Sequence, residues 1–204
     1  MFDKEDHYLW GHQTCLSGYK AVTNVPLIIM GPNIQKKRIQ EQVQLKDLFH
    51  TILHMTALPI DKIKDLEQDK SILYQIKTNT TPKYILGEYL KIKKEVLEIV
   101  NYYRKSIKKN IISKTLNDIY FLRTNQYKYI KYNNQIEELF DINTDPYEQN
   151  NIINRNKKLY QEMKSILQRI LNQITNIENL TSKTTDKEKD DLKNTINSIN
   201  FKGI

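Results

Sequence analysis

Histidines and carboxylates are the residues of this chain best equipped for chemistry, and they fall in two groups. His7 and His12, with Asp3, Asp6 and Lys20 close by, sit in a polar, aromatic, glycine-containing stretch just ahead of an apolar run. Imidazoles exchange protons near neutral pH, and loops beside the strands of α/β sheets are where ligands bind. His50 and His54 stand one helical turn apart, a spacing that can place two imidazoles on one cation. The intervening Thr51-Ile52-Leu53 supplies no glutamate base, and no third ligand is marked. Cys15 has no neighbouring basic residue on a helix start to lower its pKa, which favours a partly buried thiol over a nucleophile. Lys91, Lys93, Lys94, Arg104, Lys105, Lys108 and Lys109 form one arc of a helical pattern that could take phosphate or nucleic acid. Glutamates interrupt that arc, so a solvated face is the plainer reading. Tyr127, Tyr129 and Tyr132 could stack on bases, but tyrosine is also what a half-buried sheet prefers, and packing is the default.

These side chains need a scaffold, and the apolar period changes along the chain in a way that describes one. Residues 1–20 have no regular period and read as a loop. Val25-Pro-Leu-Ile-Ile-Met30, closed by Gly31-Pro32-Asn33, is a continuous apolar run of the kind a strand buried on both faces shows, which implies a parallel α/β sheet. Val43, Leu45, Leu48, Phe49, Ile52, Leu53 and Met55 recur three and four apart, predicting an amphipathic helix that ends before Pro59 and packs on that strand. Lys83 to Tyr89 is a candidate short strand. Ile92, Val96, Ile99, Tyr103, Ile107 and Ile111 predict a second helix. Residues 119–142 alternate roughly in twos around Thr124-Asn125-Gln126 and Asn133-Asn134, predicting an antiparallel meander. Leu159, Met163, Ile166, Ile170 and Ile174 predict a closing helix over 157–174, and the chain from Asn179 onward is polar and charged.

Composition narrows the field. The chain has 204 residues, 39% hydrophobic and 27% charged, which suits a globular chain of one or two domains. Its net charge of +8 suits anionic partners. With only five glycines and abundant Asn, Ile and Lys, much of that charge reflects coding bias rather than function. A single cysteine excludes an intramolecular disulfide and the thiolate sets of zinc fingers and iron–sulfur clusters. The longest apolar run is far below the ~20 residues that span a bilayer, and Met1-Phe-Asp-Lys-Glu-Asp6 is too acidic to start a signal peptide. Neither a membrane nor a nucleic acid is expected as a partner, and a cytoplasmic location is the weak expectation.

Four segments, in order, resemble the C-terminal part of a type I sulfatase of the alkaline-phosphatase-like superfamily. His7-Tyr-Leu-Trp10-Gly11-His12 leading to Val25-Pro26-Leu-Ile-Ile-Met-Gly31-Pro32 is similar to the family's "HG.WG(K/H)…VPLII.GP". Val43-Gln-Leu45-Lys-Asp47-Leu48-Phe49-His-Thr51-Ile52-Leu53 is similar to "V.L.DL.PTLL". Leu86-Gly-Glu88-Tyr89 stands in the place of an "FAEY" strand. Leu122-Arg123-Thr124 with Tyr127-Lys128-Tyr129-Ile130, then Glu138-Leu139-Phe140-Asp141-Ile142, then Asp145-Pro146-Tyr-Glu148 and Asn151, is similar to "RT..YKYI…ELYDL..DP.E..N". In the last segment Asp145-Pro146 favours a turn, and Arg123 and Glu148 are candidates to pair across the meander.

The resemblance implies an α/β fold that becomes α+β at its C-terminal end: a partial alkaline-phosphatase-like fold with a small antiparallel sheet and a closing helix. It divides the chain into 1–58, the distal end of an α/β catalytic domain; 59–115, a mostly helical connector; 116–177, the small sheet with its helix; and 178–204, a polar tail. It implies a sulfuric ester hydrolase, present as a C-terminal segment and inactive alone. By resemblance, His12 contacts sulfate oxygens or protonates the leaving group, and His7 binds substrate. The complete enzyme of the family uses formylglycine, made in a Cys/Ser-x-Pro-x-Arg motif, and a calcium ion held by aspartates. Cys15-Leu-Ser-Gly-Tyr19 has neither the proline nor the arginine, so no metal and no cofactor is assigned to this chain by itself. The implied partners are a sulfate-ester substrate and an N-terminal portion carrying the missing motifs. The family's acidic "LY(D/E)E" residues are absent around Ser17-Gly18-Tyr19-Lys20, and the stretch from His12 to Pro26 is a couple of residues long for the family. The alternative is a non-catalytic basic α+β module that binds an anion or a partner chain through the 91–111 helix.

Overall fold

The computed structural model describes residues 18–31, 34, 36–56, 70–78, 80, 83–90, 97–98, 102, 114 and 117–181. The one-turn helix α1 (Lys20–Thr23) is followed by α2 (Asp47–Met55) and α3 (Ile72–Thr78). Strands β1 (Ile85–Tyr89), β2 (Ile119–Arg123), β3 (Tyr127–Tyr132) and β4 (Glu137–Asp141) come next, then the long helix α4 (Lys157–Thr181). The strands form one sheet in the order β1-β2-β3-β4, antiparallel throughout. The expected meander over 119–142 is therefore present, and β1 falls within the stretch read as a strand at Lys83 to Tyr89.

Register fixes the two faces of this sheet. Arg123 pairs with Lys128, Ile119 with Tyr132, and Lys128 with Phe140, which puts Ile119, Phe121, Lys128, Ile130, Tyr132, Glu138 and Phe140 on one face. Tyr19 joins Ile119, Ile130, Tyr132 and Phe140 in a buried cluster there. The opposite face carries Leu122, Tyr129 and Leu139, all fully buried, and the start of α4 lies against it: the Tyr129 and Tyr160 rings meet edge-on at 6.0 Å, and Tyr160 Oη donates to Glu137 at 2.5 Å. Both faces are thus covered, which is why Tyr129 and Tyr132 are packed rather than free to stack on bases. Burial pushes the hydroxyls of Tyr19, Tyr129 and Tyr132 well above the usual tyrosine range, with neighbouring carboxylates adding to it.

The turns follow their residues. Thr124 N donates to Tyr127 O at 2.8 Å, closing a two-residue loop at Asn125-Gln126. Asp145 accepts from Asn150 N at 2.7 Å through its carboxylate and from Glu148 N at 3.0 Å through its carbonyl, the local capping expected of Asp145-Pro146. The chain then returns along the outer edge of β4, where Asn151 Oδ1 accepts from Leu139 N at 3.0 Å and Ile152 N donates to Leu139 O at 2.8 Å. That strap satisfies an edge that would otherwise invite pairing. Asn156 caps α4 by accepting from Leu159 N at 3.2 Å. Contacts divide the chain into one unit through Met163 and a second from Lys164 on; the described part of the second is the remainder of α4.

Gly87 faces Phe121 across the β1–β2 ladder, and a Cβ on Gly87 would lie 2.0 Å from the Phe121 ring. The ring has to move for any side chain to fit. Gly87→Ala is expected to cost about 1–3 kcal/mol, the usual range for overpacking, read as a lowered denaturant midpoint with an unchanged m-value.

Three sequence expectations need correction. Val25 to Met30 is not a buried strand: it has no ladder partner among the described residues, and Ile28 and Met30 are 80% and 85% exposed. A strand of the doubly covered kind exists only with neighbours on both sides, and the described chain places none there. The sheet it does form is antiparallel and lies elsewhere in the chain. The 43–55 helix is present as Asp47–Met55, but Phe49 and Ile52 of its apolar stripe are exposed rather than packed on a strand. The third is the pairing of Arg123 with Glu148. Glu148 bonds Lys128 instead: Lys128 stands directly opposite Arg123 on the same face, and its Nζ lies 2.9 Å from Glu148 Oε1. The 91–111 helix, apart from helical Leu97, Glu98 and Tyr102, lies outside the described residues.

Candidate functional site

His7, His12 and Cys15 lie outside the described residues. The described chain begins at Gly18, and the segment that follows is tied to the sheet by two buried polar groups. Glu148, with φ at 57°, adopts a left-handed conformation that non-glycine residues seldom take. Its carboxylate turns inward: Oε1 accepts from Lys128 Nζ at 2.9 Å, and Oε2 accepts from the backbone N–H of Lys20 at 2.8 Å. Both side chains of this ion pair are almost wholly buried, 1% and 2% exposed. Lys128 Nζ also donates to Thr23 Oγ1 at 3.2 Å and lies 5.1 Å from the Phe121 ring centre. Burial lowers the Lys128 ammonium to about 8, and the Glu148 carboxylate opposes that fall.

The second group centres on Glu138. Its Oε2 accepts from Tyr19 Oη at 2.6 Å and Tyr132 Oη at 3.1 Å, and its Oε1 accepts from Lys114 Nζ at 2.5 Å. Lys114 also donates to Tyr19 Oη at 3.0 Å. Both oxygens of this buried carboxylate therefore accept from donors, one of them a cation, as burial demands. Neither group was legible as a functional cluster in sequence. The only signal was the lysine inside the Tyr127-Lys128-Tyr129-Ile130 run, a charge where a doubly covered strand should be apolar.

His50 and His54 belong to no group of three or more potential metal ligands among the described residues. His54 Nδ1 and Ser71 Oγ share a hydrogen bond of 3.1 Å at the α2–α3 contact, and the His50 ring stands edge-on to Phe49. At that contact Thr51 Oγ1 accepts from Ile72 N at 2.9 Å and so caps α3. Beside these helices lies an open cleft of about 1950 Å³, lined among others by residues 25–29 and by Lys37, Arg38, Lys46, Lys77 and Arg123. No helix among the described residues is long and apolar enough to cross a membrane.

The solved structure of a Bacteroides thetaiotaomicron protein described as a sulfatase superposes with a TM-score of 0.57 at 22% identity, over 77% of this chain and 31% of that one. The chain is homologous to arylsulfatase K at modest identity and carries part of a sulfatase fold. It is similar to arylsulfatase K of Bos taurus, 29% identical over 167 residues, covering 77% of this chain and 27% of that protein. It is also similar to arylsulfatase K of Gallus gallus, 26% identical over 167 residues with the same coverage. The chain thus spans about a quarter of the length of these curated relatives. No protein-family profile matches it.

Proposed function

We propose that this chain is the C-terminal segment of a sulfuric ester hydrolase, to which it contributes His12 and part of the cleft wall, and that it does not turn over substrate alone. The observation that supports this reading is the contrast between its two parts. The centre of the sheet, Ile119, Leu122, Tyr129, Ile130, Tyr132, Leu139 and Phe140, is buried on both faces, whereas Val25 to Ile29 line a wide open cleft and Phe49 and Ile52 of α2 are exposed. An exposed apolar segment of this kind calls for a covering partner, and the partner proposed is the α/β portion of the same enzyme class. By the family resemblance, that portion would supply the formylglycine nucleophile and the calcium ion. Among the described residues no three His, Cys, Asp or Glu side chains are grouped to hold a metal. His12 has the role of touching sulfate oxygens and protonating the leaving oxygen, and His7 that of binding substrate. The cations lining the cleft support the second reading, a non-catalytic module that binds an anion or a partner chain.

The test is to express the chain joined to a sulfatase α/β portion carrying the Cys/Ser-x-Pro-x-Arg and Asp-His-Gly-Glu motifs. The joined protein is expected to hydrolyse 4-nitrophenyl sulfate and to lose the strong ANS fluorescence expected of the chain alone. A chain that is a compact monomer without ANS binding, and that gains no activity on joining, would leave the non-catalytic module as the answer.

A further inference from the structure

Arg123 is the cation whose expected partner went elsewhere. Glu148 gives its two oxygens to Lys128 Nζ and to the N–H of Lys20, and no carboxylate among the described residues bonds the Arg123 guanidinium. Its Nε is buried and has no hydrogen-bond partner. A lysine so placed could shed its proton, but a guanidinium stays charged, so the lost hydration of that N–H is repaid only by an acceptor. Lys128, opposite Arg123 in the β2–β3 register, is a second cation and offers no counter-charge.

The side chain also lies at an opening. Arg123 and Ile85, partners at the end of the β1–β2 ladder, both line the cleft, and so does Phe121 two residues earlier on the same face. The charged groups lining that cleft are five lysines and arginines against one carboxylate, Glu41, whose Oε2 accepts from Gln40 N at 3.1 Å. A positive, partly apolar recess with an unmet N–H at one end favours an anion.

We propose that Arg123 is the receptor for an oxyanion in this cleft, a carboxylate or sulfate group whose oxygens meet the Nε side of the guanidinium fork. The oxyanion arrives on a small ligand or is a side-chain carboxylate of a covering protein segment; the chemistry at Arg123 is the same. The site stands apart from the hydrolase reading and from any role of the histidines.

The test titrates the 204-residue chain with sodium sulfate and with sodium acetate, against sodium chloride at equal ionic strength, while NMR follows the Arg123 Nε–H. That signal is expected to shift saturably with sulfate or acetate and not with chloride. Arg123→Gln is expected to weaken binding of the same anion by at least about tenfold, the loss of a hydrogen bond to a charged group. Arg123→Lys, which keeps the charge but not the fork, is expected to weaken it as well; binding by either variant as tight as that of the parent chain overturns the proposal. Amide protection at Ile130 and Leu139 reports that the sheet is intact, and should Arg123→Gln lose it, Arg123→Lys decides. If small anions leave the Nε–H unmoved but joining the chain to the α/β portion shifts it, the oxyanion is a carboxylate of that portion. An Nε–H unmoved in both experiments sinks the receptor role, whereas failure of the joined protein to gain activity counts against the hydrolase reading and leaves the titration to stand by itself.

Discussion

Purified by itself, the 204-residue chain is expected to show no turnover of 4-nitrophenyl sulfate or 4-nitrophenyl phosphate, with or without calcium. Cleavage of such an ester needs a nucleophile, a cation to absorb charge on the transferring group, and an acid for the leaving oxygen, and these act as a unit. None of the five prolines in this sequence stands two residues after a cysteine or serine, so the nucleophile motif is not in the chain. What it supplies is at most the acid. One general acid contributes ~10²–10⁴-fold, against the many more decades by which enzymes accelerate reactions of this kind. In the joined enzyme His12→Ala is accordingly expected to lower kcat by about 10²–10⁴-fold for substrates with poor leaving groups, and much less for 4-nitrophenyl esters, whose leaving oxygen needs little protonation. Metal-stimulated turnover by the separate chain, measured with either ester, would refute the assignment of the nucleophile to another segment.

Breaking the buried ion pair from one side should have the largest effect on stability of any single substitution. Glu148→Ala leaves the Lys128 ammonium buried without its carboxylate and the Lys20 N–H without its acceptor, and is expected to cost about 3–5 kcal/mol in urea unfolding. Lys128→Met/Glu148→Leu is expected to cost far less, since it removes both charges together. The intact pair also sets a pH signature. Lys128 in the folded chain titrates near 8, below its usual range, with Glu148, Arg123 and Lys20 the charged groups around it. Between about pH 8 and the ordinary lysine range the unfolded chain binds the extra proton, so this residue makes stability rise with pH across that window. Tyr19, Tyr129 and Tyr132 act oppositely: their folded hydroxyls hold protons beyond the normal tyrosine range, so their contribution is lost as pH climbs past about 10. Midpoints of urea unfolding should therefore climb from pH 8 and turn over near 10. The double variant should lose the climb and keep the fall; a climb that survives it would show that Lys128 is not its source.

The meander was legible because its signals are local. Alternation over 119–142, the Asn125-Gln126 loop and the Asp145-Pro146 turn each act within a few residues, and register follows once they are set. The helix over 157–174 was legible for the same reason, and it runs on to Thr181. Val25 to Met30 misled because a continuous apolar run reports what a segment requires, neighbours on both sides, and not whether the described chain provides them. The partner of Glu148 was misassigned because Arg123 and Lys128 stand directly opposite one another on the same face, and nothing in spacing distinguishes the two cations. His50 and His54 at i and i+4 looked like a half-built metal site, and became a hydrogen bond to Ser71 and a ring contact once α3 was set beside α2.

The sequence by itself determined the periods, the turns, the balance of strands and helices, and an ordered set of segments specific enough to point to the sulfatases, because each of these depends on neighbours in the chain. Only the tertiary structure decided that both faces of the sheet are covered, that Lys128 and Glu148 meet in the core, and that Glu138 gathers Tyr19, Tyr132 and Lys114. Tyr19 and Glu138 lie more than a hundred residues apart, and Lys20 and Glu148 farther still. Such contacts depend on which surfaces the fold brings together and on the low dielectric they create, and no local pattern encodes either.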